Sequence, residues 1–192
     1  MSGYKAVLFD CFDVLFPDHC REWLAAHGLD RKGAYAELSR QLDLGTLSYE
    51  GFVAELAQLS GQTPAEVMQE FSQFAQPDVA VIDFLRSLRS TYKTALVSNA
   101  HADEVRPLLQ THTLEHLFDA IVISAEVGLR KPDPKIFEHA LAQLGCTPAE
   151  AIFIDDNEDN VVPATELGIT GIVFKNYQQL MDHIQPLLLP IK

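Results

Sequence analysis

Five short stretches of the chain are apolar almost without alternation: residues 6–9, 94–97, 120–123, 151–154 and 171–174. Runs of this length suit strands covered on both faces, because a half-exposed strand would alternate apolar with polar positions. Between them the apolar residues recur at helical spacing. Val81, Ile82, Leu85 and Leu88 form one stripe. Ile136, Phe137, Ala140, Leu141 and Leu144 form another, opened by Pro134 and closed by Gly145, and Leu180, Met181, Ile184, Leu187 and Leu188 form a last one. Strand and helix signals in alternation predict an α/β fold, a doubly wound parallel sheet.

One segment breaks the rhythm. From about Pro17 to Asp78 the chain offers helical stripes and no clear strand. Trp23 and Leu24 belong to the first stripe, and Tyr35, Leu38 and Leu42 to the second. Phe52, Val53, Leu56 and Leu59 make a third, and Val67, Met68, Phe71 and Phe74 a fourth. Gly28, Gly45 and Gly61 stand where helices should stop, and Thr63-Pro64-Ala65-Glu66 has the form of a capped start. Trp23, Phe52 and Phe71 read as core. The expected organisation is a core of residues 1–16 and 79–192 interrupted by a helical insertion, residues 17–78.

A length of 192 residues with 47% hydrophobic content supports a sizeable core without covalent staples. The net charge of −13 argues against a nucleic-acid backbone or an anionic membrane as partner, since both need a basic surface. A small anionic substrate stays possible, because a local cluster of donors can hold it against an acidic background. Cys11, Cys20 and Cys146 have no pairing pattern. With no membrane-length apolar run, and with Asp10 and Asp13 interrupting the first apolar stretch, a cytoplasmic protein is expected.

Ligands of open parallel sheets bind beyond the carboxyl ends of the strands. Asp10 follows the first run and Ser98-Asn99 the second. The third run leads to Gly128-Leu129-Arg130-Lys131-Pro132, and the fourth to Asp155-Asp156-Asn157-Glu158-Asp159-Asn160. Asp10, Asp155 and Asp156 gathered in one cleft would repel unless a cation lay among them, and an oxygen-rich site of this kind suits Mg²⁺. A hydroxyl and amides before a helix, as at Ser98 and Asn99, suit an anion. Lys131, held off helix by Pro132, could neutralise substrate charge. His101 and His139 lack companions at metal-ligand spacing and read as surface or capping residues. His19, Arg21, Arg40 and Tyr49 in the insertion could face the cleft, but for each a solvated or core-edge position is the simpler expectation.

Together, Phe9-Asp10-Cys11-Phe12-Asp13-Val14-Leu15, Val97-Ser98-Asn99, Leu129-Arg130-Lys131-Pro132-Asp133-Pro134 and Phe153-Ile154-Asp155-Asp156-Asn157 resemble, in order and spacing, the four motifs of the haloacid dehalogenase superfamily. The resemblance spans nearly the whole chain. It implies a Rossmann-like core with sheet order fifth, fourth, first, second, third run, and an inserted α-helical cap. It also implies roles. Asp10 would be the nucleophile of a phosphatase, forming an aspartyl-phosphate. Ser98, Asn99 and the backbone at Phe12 would hold the phosphoryl group, and Lys131 would stabilise its charge. Asp10, the Phe12 carbonyl, Asp156 and Asp155 would surround Mg²⁺, with Asp159 and Asn160 ordering waters or the loop. The implied partner is a small phosphorylated molecule such as a sugar phosphate, bound by a monomer or a dimer.

One position departs from the pattern. Phosphatases of this superfamily usually carry a second Asp two residues beyond the nucleophile, where this chain has Phe12. Phenylalanine cannot transfer a proton, and general acid catalysis is worth about 10²–10⁴ in rate. Three readings follow: a phosphatase with another proton source, such as Asp13 or a residue of the insertion; a metal-independent 2-haloacid dehalogenase; or a relative that only binds a phosphorylated ligand or a partner. The Asp155-Asp156 pair speaks against the dehalogenase, since added negative charge hinders binding of an anionic haloacid.

Overall fold

The computed structural model describes residues 3–72 and 76–188. Five parallel strands form one sheet: β1 (Ala6–Phe9), β2 (Lys93–Ser98), β3 (Ala120–Ile123), β4 (Ala151–Asp155) and β5 (Thr170–Val173), in the order β3-β2-β1-β4-β5. This is the expected order, and each apolar run is a strand to within a residue or two. β1 lies in the centre, paired with β2 through Phe9 and Leu96 and with β4 through Phe9 and Ile154. Because side chains alternate, Val7 and Phe9 point to one face and Ala6 and Leu8 to the other.

The first face is covered by α5 (Val79–Leu88), α6 (Ala102–Thr111) and α10 (Tyr177–Ile184), and Val81, Leu85, Val105, Leu109, Leu180 and Ile184 are buried there. The second is covered by α8 (Pro134–Leu144) and α9 (Glu158–Glu166), through Ile136, Phe137, Leu141 and Ala164. All four residues of β1 are buried, which explains why its sequence cannot alternate. Each large apolar side chain so buried contributes about 1.5–3 kcal/mol.

Residues of α1 (His19–Ala26), α2 (Gly33–Asp43), α3 (Tyr49–Ser60) and α4 (Pro64–Ser72) build a third apolar cluster of their own. Trp23 meets Phe71 edge-on at 5.6 Å within it, and Phe52 and Leu56 are buried. Two residues of the helical stripes lie largely outside this cluster. Leu59 is 40% and Met68 44% exposed. Met68 lies a quarter-turn around α4 from buried Val67 and Phe71, and Leu59 is in the last turn of α3, before Gly61 reverses the chain. Phe74 and the side chain of His19 lie outside the described residues. The two ends of the insertion meet where the amide of Asp78 donates to the Leu15 carbonyl at 2.8 Å.

The insertion also touches the core through α2 and the short α7 (Ser124–Val127). Gly45, just past α2, has φ +68°, and a Cβ there would sit 2.7 Å from the Ala125 carbonyl oxygen. Gly45→Ala combines a left-handed backbone with that clash, so it is expected to lower stability by about 1–3 kcal/mol in urea unfolding. A loss below about 0.5 kcal/mol would show that α2 can move off the core at little cost.

Candidate active site

The carboxyl ends of β1, β2 and β4 and the loop after α7 converge at one rim. Asp10 continues β1 by one residue, its amide donating to the Ile154 carbonyl at 2.9 Å. Its side chain is buried beside Lys131, whose Nζ lies 2.7 Å from Asp10 Oδ1 and 2.7 Å from Asp155 Oδ2. The Cys11 amide also donates to Asp10 Oδ1, at 2.7 Å. Both partners therefore occupy Oδ1 and leave Oδ2 for the cavity. The Cys11 side chain turns the other way, into the core beneath the sheet, as its place on an extended strand end predicts.

Lys131 is 1% exposed. Burial disfavours its ammonium, but Asp10 and Asp155 outweigh burial and raise its pKa above the ordinary lysine value. Burial pushes the Asp10 carboxyl well up; Lys131 opposes this and Asp155 adds to it. The lysine loop is clamped by Asn99, whose Oδ1 accepts from the Lys131 amide at 2.7 Å and whose Nδ2 donates to the Lys131 carbonyl at 2.9 Å. Both side-chain groups of Asn99 are thus spent on positioning Lys131. Asp155 is held in turn: its Oδ1 accepts from the Asn157 amide at 2.8 Å and from Asn160 Nδ2 at 3.0 Å. Asn160 therefore orients Asp155, while Asp159 is exposed in the first turn of α9.

Asp10, Asp155 and Asp156 each place one oxygen within 4.8 Å of the others. Burial, then Asp155 and Asp13, push Asp156 up to about 6. Asp10 and Asp156 border a cavity and Asp155 lies buried behind them, and three carboxylates so close form a donor set that fits a hard divalent cation. Ser98 is fully buried at the end of β2, and its Oγ has no hydrogen-bond partner. Such an orphaned hydroxyl beside Asn99 and Lys131 is a donor in need of an acceptor.

A cavity of about 830 Å³ opens over these residues, walled by Asp10, Phe12, Asn99, Lys131 and Asp156 on one side and by the insertion on the other. Phe12 reaches the cavity wall, yet it also packs against the core cluster of the first sheet face. Asp13 adopts φ +56°. Its Oδ1 accepts from the Asp18 amide and its Oδ2 from Arg21 Nη2, each at 3.0 Å. Asp13 thus ties down the start of the insertion. Of the insertion residues considered from sequence, Arg21 borders the cavity, Arg40 pairs with Glu37 in solvent, and Tyr49 packs on the insertion's own core. His101 caps α6, and His139 contacts Gln143 one turn on in α8.

Sequence reasoning missed Asp43, Arg31 and Glu104 as cavity residues and assigned nothing to Arg130. Asp43 accepts from Arg130 Nη2 at 2.9 Å, joining α2 to the residue before Lys131, and Arg31 pairs with Asp18 at 2.9 Å. No signal in the chain marks them, since isolated charges in helices and loops normally face water. Arg130 alone lies within a motif, Leu129-Arg130-Lys131-Pro132.

A parallel α/β core with a buried aspartate–lysine pair at the end of its central strand, and two more carboxylates alongside, is the frame of a hydrolase. Residues 4–168 match the haloacid dehalogenase-like hydrolase family, and the chain belongs to it. A sesquiterpene phosphatase of Aspergillus oryzae is 30% identical over 89% of this chain and 90% of its own length. A glyceraldehyde 3-phosphate phosphatase of Methanopyrus kandleri is 31% identical over 81% and 76%. Among solved structures, an HAD family enzyme from Bacteroides thetaiotaomicron in complex with magnesium and inorganic phosphate superposes with TM-score 0.74 at 25% identity, over 90% of this chain and 94% of that one. Among the described residues no helix is long and apolar enough to cross a membrane.

Proposed function

We propose that the chain is a Mg²⁺-dependent phosphomonoesterase for a small phosphorylated metabolite, such as a sugar phosphate, and that Asp10 is its nucleophile. The observation that carries this reading is that Asp10 borders the cavity with Oδ1 pinned by Lys131 and the Cys11 amide, which leaves Oδ2 for a ligand. Asp10, Asp156 and the Phe12 carbonyl would hold Mg²⁺, with Asp155 supporting the ion or Lys131. When bound, the ion neutralises charge on the phosphoryl oxygens and relieves the repulsion of the carboxylates. Asp10 Oδ2 attacks phosphorus, the bond to the leaving oxygen breaks, and water then cleaves the aspartyl-phosphate. Lys131 stabilises the charge gathered between nucleophile and phosphoryl group, and the Ser98 hydroxyl donates to a phosphoryl oxygen. Catalysis is thus mainly positioning and electrostatics.

The inserted helices act as a cap in this reading. They close the cavity from above, and a volume of about 830 Å³ matches a small molecule. The walls carry Asp13, Asp18, Arg31, Ser39, Asp43 and Arg130, which suit a hydroxylated substrate better than a long apolar chain. The three carboxylates disfavour the dehalogenase reading, because a second anion without a cation would be repelled. Assay of a phosphate-ester and haloacid panel is expected to show phosphate release that Mg²⁺ stimulates and EDTA abolishes, without halide. Halide release in EDTA would establish the dehalogenase instead.

A further inference from the structure

An alkoxide leaves phosphorus poorly unless it is protonated as it departs. Phe12 cannot supply that proton, and the neighbouring Asp13 has both oxygens occupied by the Asp18 amide and Arg21. The other cavity carboxylates are committed too. Asp10 and Asp155 bind Lys131, Asp18 binds Arg31 and the Cys20 amide, and Asp43 binds Arg130. Asp156 belongs to the candidate ion cluster, and Glu158 and Asp159 are exposed at the start of α9. Glu104 is different. It projects from the first turn of α6, borders the same cavity as Asp10, and has no ion pair among the described residues.

We propose that Glu104 is the proton donor to the leaving oxygen. This rests on the phosphatase reading of the cavity. As the Asp10 Oδ2–P bond forms and the P–O bond to the leaving group breaks, the carboxyl proton of Glu104 moves to the departing oxygen and an alcohol is released. Glu104, now a carboxylate, takes a proton from the water that attacks phosphorus. Phosphate leaves as the Oδ2–P bond breaks, and both side chains return to their starting forms.

The surroundings of Glu104 favour the protonated carboxyl. Burial, then the charges of Asp18 and Asp43, push it up to about 8, with only the His101 amide working the other way. Cys11 just past β1, Cys20 on α1 and Tyr49 on α3 are near enough to couple with it electrostatically, and all three are held neutral by burial. The cations lining the cavity are paired elsewhere: Arg21 with Asp13, Arg31 with Asp18, Arg130 with Asp43, and Lys131 with Asp10 and Asp155. A donor ionising near pH 8 still carries its proton at neutral pH and can give it up readily.

The test compares leaving groups. An alkyl phosphate needs the donor, whereas p-nitrophenyl phosphate releases a stabilised phenolate and does not. In the full chain with Mg²⁺, Glu104→Gln is expected to lower kcat/KM for glycerol 3-phosphate by about 10²–10³-fold and for p-nitrophenyl phosphate by less than about 5-fold. The loss of activity above about pH 8 on the alkyl substrate should vanish in Glu104→Gln. In Asp43→Asn it should move to lower pH, because a negative neighbour is removed. Glu104→Asp should recover part of the alkyl activity. Equal losses on the two substrates, or no loss, overturn the proposal while leaving the phosphatase reading intact. If the unmodified protein hydrolyses neither ester, the reading itself falls and Glu104 with it.

Discussion

Asp10→Asn is expected to reduce phosphate release by more than about 10⁴-fold while the protein stays folded. The amide nearly matches the carboxylate in shape, and its oxygen can still accept from Lys131 and the Cys11 amide. It cannot attack phosphorus, because the amide nitrogen has no electron pair free for the bond. Burial already works against the charge on Asp10, so removing that charge should cost the fold little. Single-turnover measurement of phosphate release, together with a thermal melt within a few degrees of the unmodified protein, checks both halves. Retention of a tenth or more of the activity would mean that Asp10 Oδ2 is not the attacking atom.

Lys131→Met should affect both activity and fold. Lys131 is buried and touches two buried carboxylates at 2.7 Å each, so its removal leaves negative charge without a partner. Breaking a buried pair in this way costs about 3–5 kcal/mol. Loss of the charge beside the phosphoryl group should separately lower kcat by about 10²–10³-fold. The variant should also acquire a pH dependence, measured in EDTA by urea unfolding. Burial raises the Asp10 carboxyl above its unfolded value, and without the ammonium only the Cys11 amide still opposes that rise. The folded variant then binds protons that the unfolded chain releases, so its stability increases as pH falls from 7.5 toward 5. In the unmodified protein, the raised Lys131 value contributes stability below the ordinary lysine pKa and loses it as pH climbs through the raised value. A variant equally stable at pH 5 and 7.5 would show that water reaches the carboxylates once the lysine is gone.

Much of this architecture could be read along the chain, and for a specific reason. A strand covered on both faces has no polar positions, so residues 6–9 and 151–154 are unmistakable, and whatever follows them must lie at the sheet rim. Asp10, Ser98, Lys131 and Asp155 could be singled out on that argument alone. The helices α1 to α4 were legible as stripes too, since a stretch as long as 17–78 without a strand signal has nowhere to go within the sheet. Their exposed positions were less so: Met68 and Leu59 fit a helical stripe, but only the neighbours of α3 and α4 decide which part of a stripe is covered.

What the chain alone determined was the set of strands and the groups carried at their ends. Only the tertiary structure decided how those groups share their charges. Asn99 looks like an anion ligand in sequence and proves to be the clamp of the Lys131 loop. Asp13 looks like a spare acid and is fastened to Asp18 and Arg21. Glu104 looks like an ordinary first-turn acid complementing a helix dipole, and in the fold it shares a cavity with Asp18 and Asp43, whose charges with burial raise its carboxyl. Ionisation and pairing depend on distances of a few ångströms between segments dozens of residues apart, and local sequence periodicity carries no information about those distances.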